Sequence, residues 1–270
     1  MEGGSKIGSL VLLAVLIALL PLFLVETSAR QRKPVAVAAN NCVGCHARLA
    51  TSAELSNRFL DWRLSPHKAR DVTCDKCHGG DPAQPDGAKA HQGVVSPTET
   101  RSPLHRSNVA QTCGACHRDV MNSFVESNHY EAIKSNGLGP TCNSCHMHMA
   151  STIAGRPSQI AALCTFCHNT IDGLQPRKPE VPKRAQNTLE SMQRAEQTLA
   201  WAKDLLAEAG KRRMKVDAER EDIRLAEMTL KEAKVGWHAF NLDSVSLKAN
   251  KAFEEGLRVK ELLTNKLGHD

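Results

Sequence analysis

Apolar positions follow three different rules along this chain. Ile7 to Val25 is apolar apart from Gly8 and Ser9. Past Pro182, Met192, Ala195, Leu199, Ala202, Leu206 and Ala209 recur at spacings of three and four, one face of a long helix. Val216, Ile223, Ala226, Leu230, Ala233 and Trp237 repeat the pattern, and Val245, Ala249, Ala252, Gly256 and Leu263 carry it into a third helix, expected from about Asp243 to Leu263. Gly210 followed by Lys-Arg-Arg marks a stop between the first two, and Asp217 is a candidate cap for the second. Between these regions, from about Asn40 to Ile171, no period holds. Gly79-Gly-Asp-Pro, Asp86-Gly, Ser96-Pro97 and Ser102-Pro103 read as loop. The expected fold is mainly α. An irregular, loop-rich domain over 40–171 leads through a Pro-rich linker at 172–184 to a long-helix bundle at 185–267. The narrow, Ala-rich stripes suit either an antiparallel bundle within the chain or a coiled-coil seam offered to a second copy.

The loop-rich domain lacks the means for an ordinary core. Aromatic residues make up only 4% of the chain, with a single tyrosine, Tyr130. All ten cysteines, however, fall into five copies of Cys-x-x-Cys-His: Cys42, Cys45 and His46; Cys74, Cys77 and His78; Cys113, Cys116 and His117; Cys142, Cys145 and His146; Cys164, Cys167 and His168. In this pattern the two thiols form thioethers to the haem vinyl groups and the adjoining histidine binds the iron. A zinc ribbon does not require the histidine, and a disulfide framework leaves five histidines unexplained. The expected cofactor is therefore haem c, five per chain and covalent, with five porphyrin plates supplying the missing apolar surface. The first cysteines draw closer towards the end of the domain, so the haems at Cys142 and Cys164 are expected to lie close together.

Charge adds little. Residues 40–171 hold 12 Lys or Arg against 10 Asp or Glu, and no basic stripe interleaved with aromatics suggests nucleic acid. Residues 1–29 read equally as a signal peptide cut near Thr27-Ser28-Ala29 or as an uncleaved membrane anchor. Either one exports the rest of the chain, to the periplasm or another extracytoplasmic space.

A low-spin electron-transfer haem needs a sixth ligand, and seven histidines remain: His67, His91, His105, His129, His148, His238 and His269. A small repeat singles out three of them, since Ser65-Pro-His67 precedes Cys74, Ser102-Pro-Leu-His105 precedes Cys113 and Ser127-Asn-His129 precedes Cys142. His67, His129, His91 and His238 are the leading candidates. His105 and His148 compete for the fifth place, and His269 sits in a terminal tail. Met147 and Met149 read as soft packing against porphyrin.

At these positions the chain resembles the family that includes hydroxylamine oxidoreductase, the octahaem nitrite and tetrathionate reductases and the pentahaem ammonia-forming nitrite reductase. The tetrahaem electron carrier of nitrifying bacteria shares part of the pattern. The stretches are Trp62-Arg-Leu-Ser-Pro-His67, Cys77-His-Gly-Gly-Asp-Pro82 with Ala90-His91-Gln-Gly93, Thr112 to His117, Glu126-Ser-Asn-His129 with Pro140-Thr-Cys142, and Gly236-Trp-His238. The resemblance implies paired, stacked haems and a C-terminal helical bundle whose histidine reaches back to one of them. The enzymes' marks are missing: no Cys-x-x-Cys-Lys occurs, and no tyrosine follows Tyr130. The expectation is an electron carrier with mostly bis-histidine haems in anaerobic or nitrogen-cycle respiration, working with redox partner proteins such as a quinol-linked donor or a terminal reductase. The alternative is a small reductase of nitrite, hydroxylamine or a sulfur oxyanion with one open haem.

Overall fold

Thirteen α-helices and no strand make up the described residues of the computed structural model, which are 40–49, 53–147, 155–169 and 177–268. The apolar run at Ile7–Val25, His148, Met149 and His269 lie outside them. Among the described residues no helix is long and apolar enough to cross a membrane.

The chain from α11 onward forms a three-helix bundle: α11 (Val181–Lys211), α12 (Asp217–Gly236) and α13 (Leu242–Leu267). Helix α11 begins inside the stretch expected to be linker, because Pro182 stands in its first turn, where a missing N–H costs nothing. Asp217 joins Glu219 in the acidic first turn of α12, and makes no side-chain cap. Asn241 caps α13 by accepting from the Ser244 N–H. Ion pairs fix the directions. Arg184 meets Asp243 near the starts of α11 and α13, whereas Lys234 meets Glu196 and Arg258 meets Asp222. Helix α12 therefore runs antiparallel to both of its neighbours.

The bundle's stability lies in the apolar stripes, which face one another within the chain. Met192, Ala195, Leu199, Ala226, Leu230, Ala233, Val245, Ala249 and Ala252 form one core layer. Ala202, Ala209, Val216, Ile223, Val259, Leu263 and Leu267 form the next. Each buried leucine contributes about 1.5–3 kcal/mol. The alanines and Gly256 let the backbones close up: a Cβ on Gly256 would stand 3.1 Å from Leu199 Cδ2.

The first ten helices are short: α1 (Asn41–Leu49), α2 (Ala53–Arg63), α3 (Pro66–Ala69), α4 (Asp75–His78), α5 (Gly87–Ala90), α6 (Val109–Gly114), α7 (Arg118–Val125), α8 (Asn128–Ser135), α9 (Cys142–His146) and α10 (Pro157–His168). Their apolar core is small, with Ala110, Phe124 and Ile133 joined by Met121, Tyr130, Cys142 and Phe240. Helix α10 packs on α11, and α7 packs on α12 and on the 3-10 turn Trp237–Ala239 that follows it. The short-helix region and the bundle thus meet along two helices.

Candidate functional site

Each Cys-x-x-Cys-His copy lies on a helical turn. The motifs at Cys42, Cys142 and Cys164 lie within α1, α9 and α10, and those at Cys74 and Cys113 span a helix end. All ten thiols are unpaired. Among the described residues no group of three or more His, Cys, Asp or Glu side chains is gathered to hold a bare metal ion.

Consecutive motifs are neighbours. Burial raises the Cys74 thiol first, and Cys42 raises it further. Burial and then Cys113 and Cys116 raise Cys77. The Cys113 and Cys142 thiols share a hydrogen bond that raises the first and lowers the second. Cys164 is pushed up to about 11 by burial, with Cys145 adding to it. The five motifs therefore act on one another in sequence order.

The distal candidates are presented by local devices that the sequence specifies. Ser65 is buried and sits at the cap of α3. Its hydroxyl donates to the Trp62 carbonyl at 2.7 Å and accepts from the Lys68 N–H. Ser127 does the same at α8, donating to the Phe124 carbonyl at 2.7 Å and accepting from the Tyr130 N–H. This bridging serine fixes the first helical turn, and His67 and His129 each lie two residues on. Ser102, equally buried, donates to the Val95 carbonyl and accepts from the Leu104 N–H, but a turn follows it instead of a helix. The glycines nearby serve close approach. A Cβ on Gly80, which has φ +86°, would fall 2.5 Å from the Ala90 carbonyl oxygen, and one on Gly139 would fall 2.1 Å from that of His129.

The rings then meet in pairs. His46 faces His91 with centroids 6.1 Å apart, His117 faces His67 at 6.1 Å, His168 faces His129 at 6.0 Å, and His146 faces His238 at 6.3 Å. Every pair joins one motif histidine to one histidine outside the motifs. Two imidazoles bound to opposite faces of one metal ion stand about 6 Å apart, counting about 2 Å per metal–nitrogen bond and the ring radii. The residues present fit a haem iron at four motifs. Interplanar angles differ: 47°, 61° and 54° for the first three pairs, and 7° for His146 and His238.

The outer nitrogens differ as well. His91 Nδ1 lies 2.7 Å from the Gly87 carbonyl and His238 Nδ1 3.1 Å from the Val235 carbonyl. His129 Nδ1 is buried and meets no hydrogen-bond partner. Burial, then His168 and Lys178, push His129 down to about 4. Burial also lowers His146 and His238. For His78, lowered by burial and by His46, no second ring stands opposite among the described residues. His105 holds its Nδ1 2.6 Å from Ser107 Oγ and is paired with none of the motif rings.

The sequence profile of the cytochrome c554 and c-prime family matches residues 25–79 and 112–192, just over half of the chain. The chain belongs to that family. It is a multihaem c-type cytochrome, and the family indicates covalent haem c. Among curated proteins it is similar to the C-type polyheme cytochrome OmcB of Geobacter sulfurreducens (strain DL-1 / KN400), 31% identical over 134 residues, which are 45% of this chain and 16% of that one. OmcB of strain ATCC 51573 / DSM 12127 / PCA matches to the same extent, and OmcC of that strain is 28% identical over 118 residues, 40% of this chain and 14% of its own. The chain thus spans a small part of these relatives' length. No solved structure matches it. These likenesses carry the kinship as far as multihaem c-type cytochromes. The narrower likeness to hydroxylamine oxidoreductase and the nitrite reductases rests on the short stretches alone.

Proposed function

We propose that this cytochrome binds five haems, each at one Cys-x-x-Cys-His motif, and works as an exported carrier that passes single electrons between a quinol-linked or similar donor and a terminal reductase in anaerobic or nitrogen-cycle respiration. The observation that carries the reading is the recurrence of one imidazole pair, four times over, at a spacing that suits iron. Bound haem supplies one-electron redox chemistry, and the chain's own residues decide what else can happen there. His91, His67, His129 and His238 occupy the position a substrate would need, which leaves outer-sphere transfer open and blocks inner-sphere chemistry. The succession of motifs in sequence order suits a row of carriers. Extracytoplasmic placement follows from the attachment chemistry and the apolar run at residues 7–25.

A second reading, a small reductase, turns on the second motif. If neither His105 nor His148 serves at His78, that haem is open to nitrite, hydroxylamine or a sulfur oxyanion. Two measurements test the proposal. A pyridine haemochrome assay on mature protein is expected to give five haems per chain, and three or fewer would end it. Reduced protein mixed anaerobically with nitrite or hydroxylamine is expected to show no sustained reoxidation. Multi-turnover consumption with ammonia formed would replace the carrier with the enzyme.

A further inference from the structure

Resting on the ligation proposed above, we infer that His129 makes the site of the fifth motif the most oxidising in the chain, the end to which electrons fall. The distal rings are held in unlike ways. With Nε2 turned to the metal, His91 and His238 each carry a proton on Nδ1 and donate it to a backbone carbonyl, of Gly87 at 2.7 Å and of Val235 at 3.1 Å. An acceptor at that nitrogen makes the imidazole a stronger base and favours the oxidised metal. His129 has no such acceptor: its Nδ1 is buried and meets no partner. Buried polar atoms of this kind are rare in folded proteins.

The surroundings account for the isolation. Phe240 stands perpendicular to the His129 ring with centroids 4.2 Å apart, and belongs to the same apolar cluster as Phe124 and Ile133. Phe240 holds φ +58° between the 3-10 turn and α13, a left-handed conformation that is strained for a non-glycine residue. An apolar wall resists the additional positive charge of the oxidised state. A weaker base and a dry, apolar wall together favour the reduced state at this site.

The test uses the mature holoprotein. Phe240→Asn places an amide oxygen beside the ring, on a residue type that tolerates the left-handed backbone. Phe240→Leu keeps an apolar wall without an acceptor. His129→Ala separately identifies the site through its conversion from low spin to high spin, and haem content with a melting curve shows that each variant has folded. In spectroelectrochemical titrations the step of highest potential is expected to be the one altered by His129→Ala. Phe240→Asn is expected to move that step downwards, changing its oxidised-to-reduced ratio at fixed poise about tenfold, or about 59 mV for one electron. Phe240→Leu is expected to leave it in place. If His129→Ala changes spin state but alters a lower step, or if Phe240→Asn and Phe240→Leu behave alike, the inference falls and the ligation survives. If His129→Ala leaves every haem low spin, both fall.

Discussion

Replacing His238 with Ala tests the arrangement where its geometry is most distinctive. The ring stands 6.3 Å from His146 with only 7° between their planes, whereas the other three pairs are inclined at 47°, 54° and 61°. Near-parallel axial imidazoles give a rhombic low-spin ferric EPR signal, and steeply inclined ones give a strongly anisotropic signal at lower field. Of the four pairs only this one should contribute a rhombic component, so the variant should lose one haem's worth of that signal. A high-spin signal equivalent to one haem should replace it. His238→Met, which retains a ligand, should keep that haem low spin and raise its potential. The ring is half-buried and its Nδ1 lies 3.1 Å from the Val235 carbonyl, so the cost in stability is about 1–3 kcal/mol. Fold and haem content are checked by melting and haemochrome. A full complement of haems with an unchanged rhombic signal, or the loss of an anisotropic signal instead, would refute the pairing.

The remaining expectations are local. His67→Ala should disturb the haem of Cys113 and Cys116, not the adjacent one of Cys74 and Cys77, because His67 faces His117; combined with serine at Cys113 and Cys116, its spectroscopic effect should vanish. Leu263→Ala, at a fully buried position of the lower core layer, should cost about 2–5 kcal/mol in denaturant unfolding of the bundle. Glu219 is buried and accepts from Lys266 Nζ at 2.6 Å, which holds its carboxyl below the usual range. A lowered folded-state pKa makes this contribution complete above the unfolded value, about 4.3, and lost as pH falls through the folded one. Acid melting of Glu219→Gln against the parent should therefore show a stability difference near neutral pH that closes below about pH 4.

Much of this molecule is written locally. The five motifs state their own chemistry, and the alternation of three and four from Met192 to Leu263 gives three helices whose observed ends differ from the expected ones by a few residues. Those differences have simple causes, such as Pro182 fitting a first turn and Asn241 capping in advance of Asp243. The repeat of Ser65, Ser102 and Ser127 shows how two histidines are held, yet it does not show what they face. His67 bypasses the motif that follows it and meets His117; His129 bypasses Cys142 and meets His168; His91 turns back to His46. These choices depend on where helices and loops pack, as when Gly139 closes on the His129 carbonyl, and no local pattern encodes that. The orphaned Nδ1 of His129 is likewise invisible until Phe240, more than a hundred residues later, is placed against it.

The position of His238 also has a consequence in time. It lies between α12 and α13, after every cysteine in the chain. On the proposed ligation, the thioethers of every motif can form while the iron held by His146 still lacks its partner ring. That ring arrives only when α12 and α13 have been made and folded, because its position is set by their packing. On that ligation, a chain cut short before His238 would carry its covalent haems yet stay electronically unfinished at one site, so a centre begun early in the chain is completed only by a region made much later.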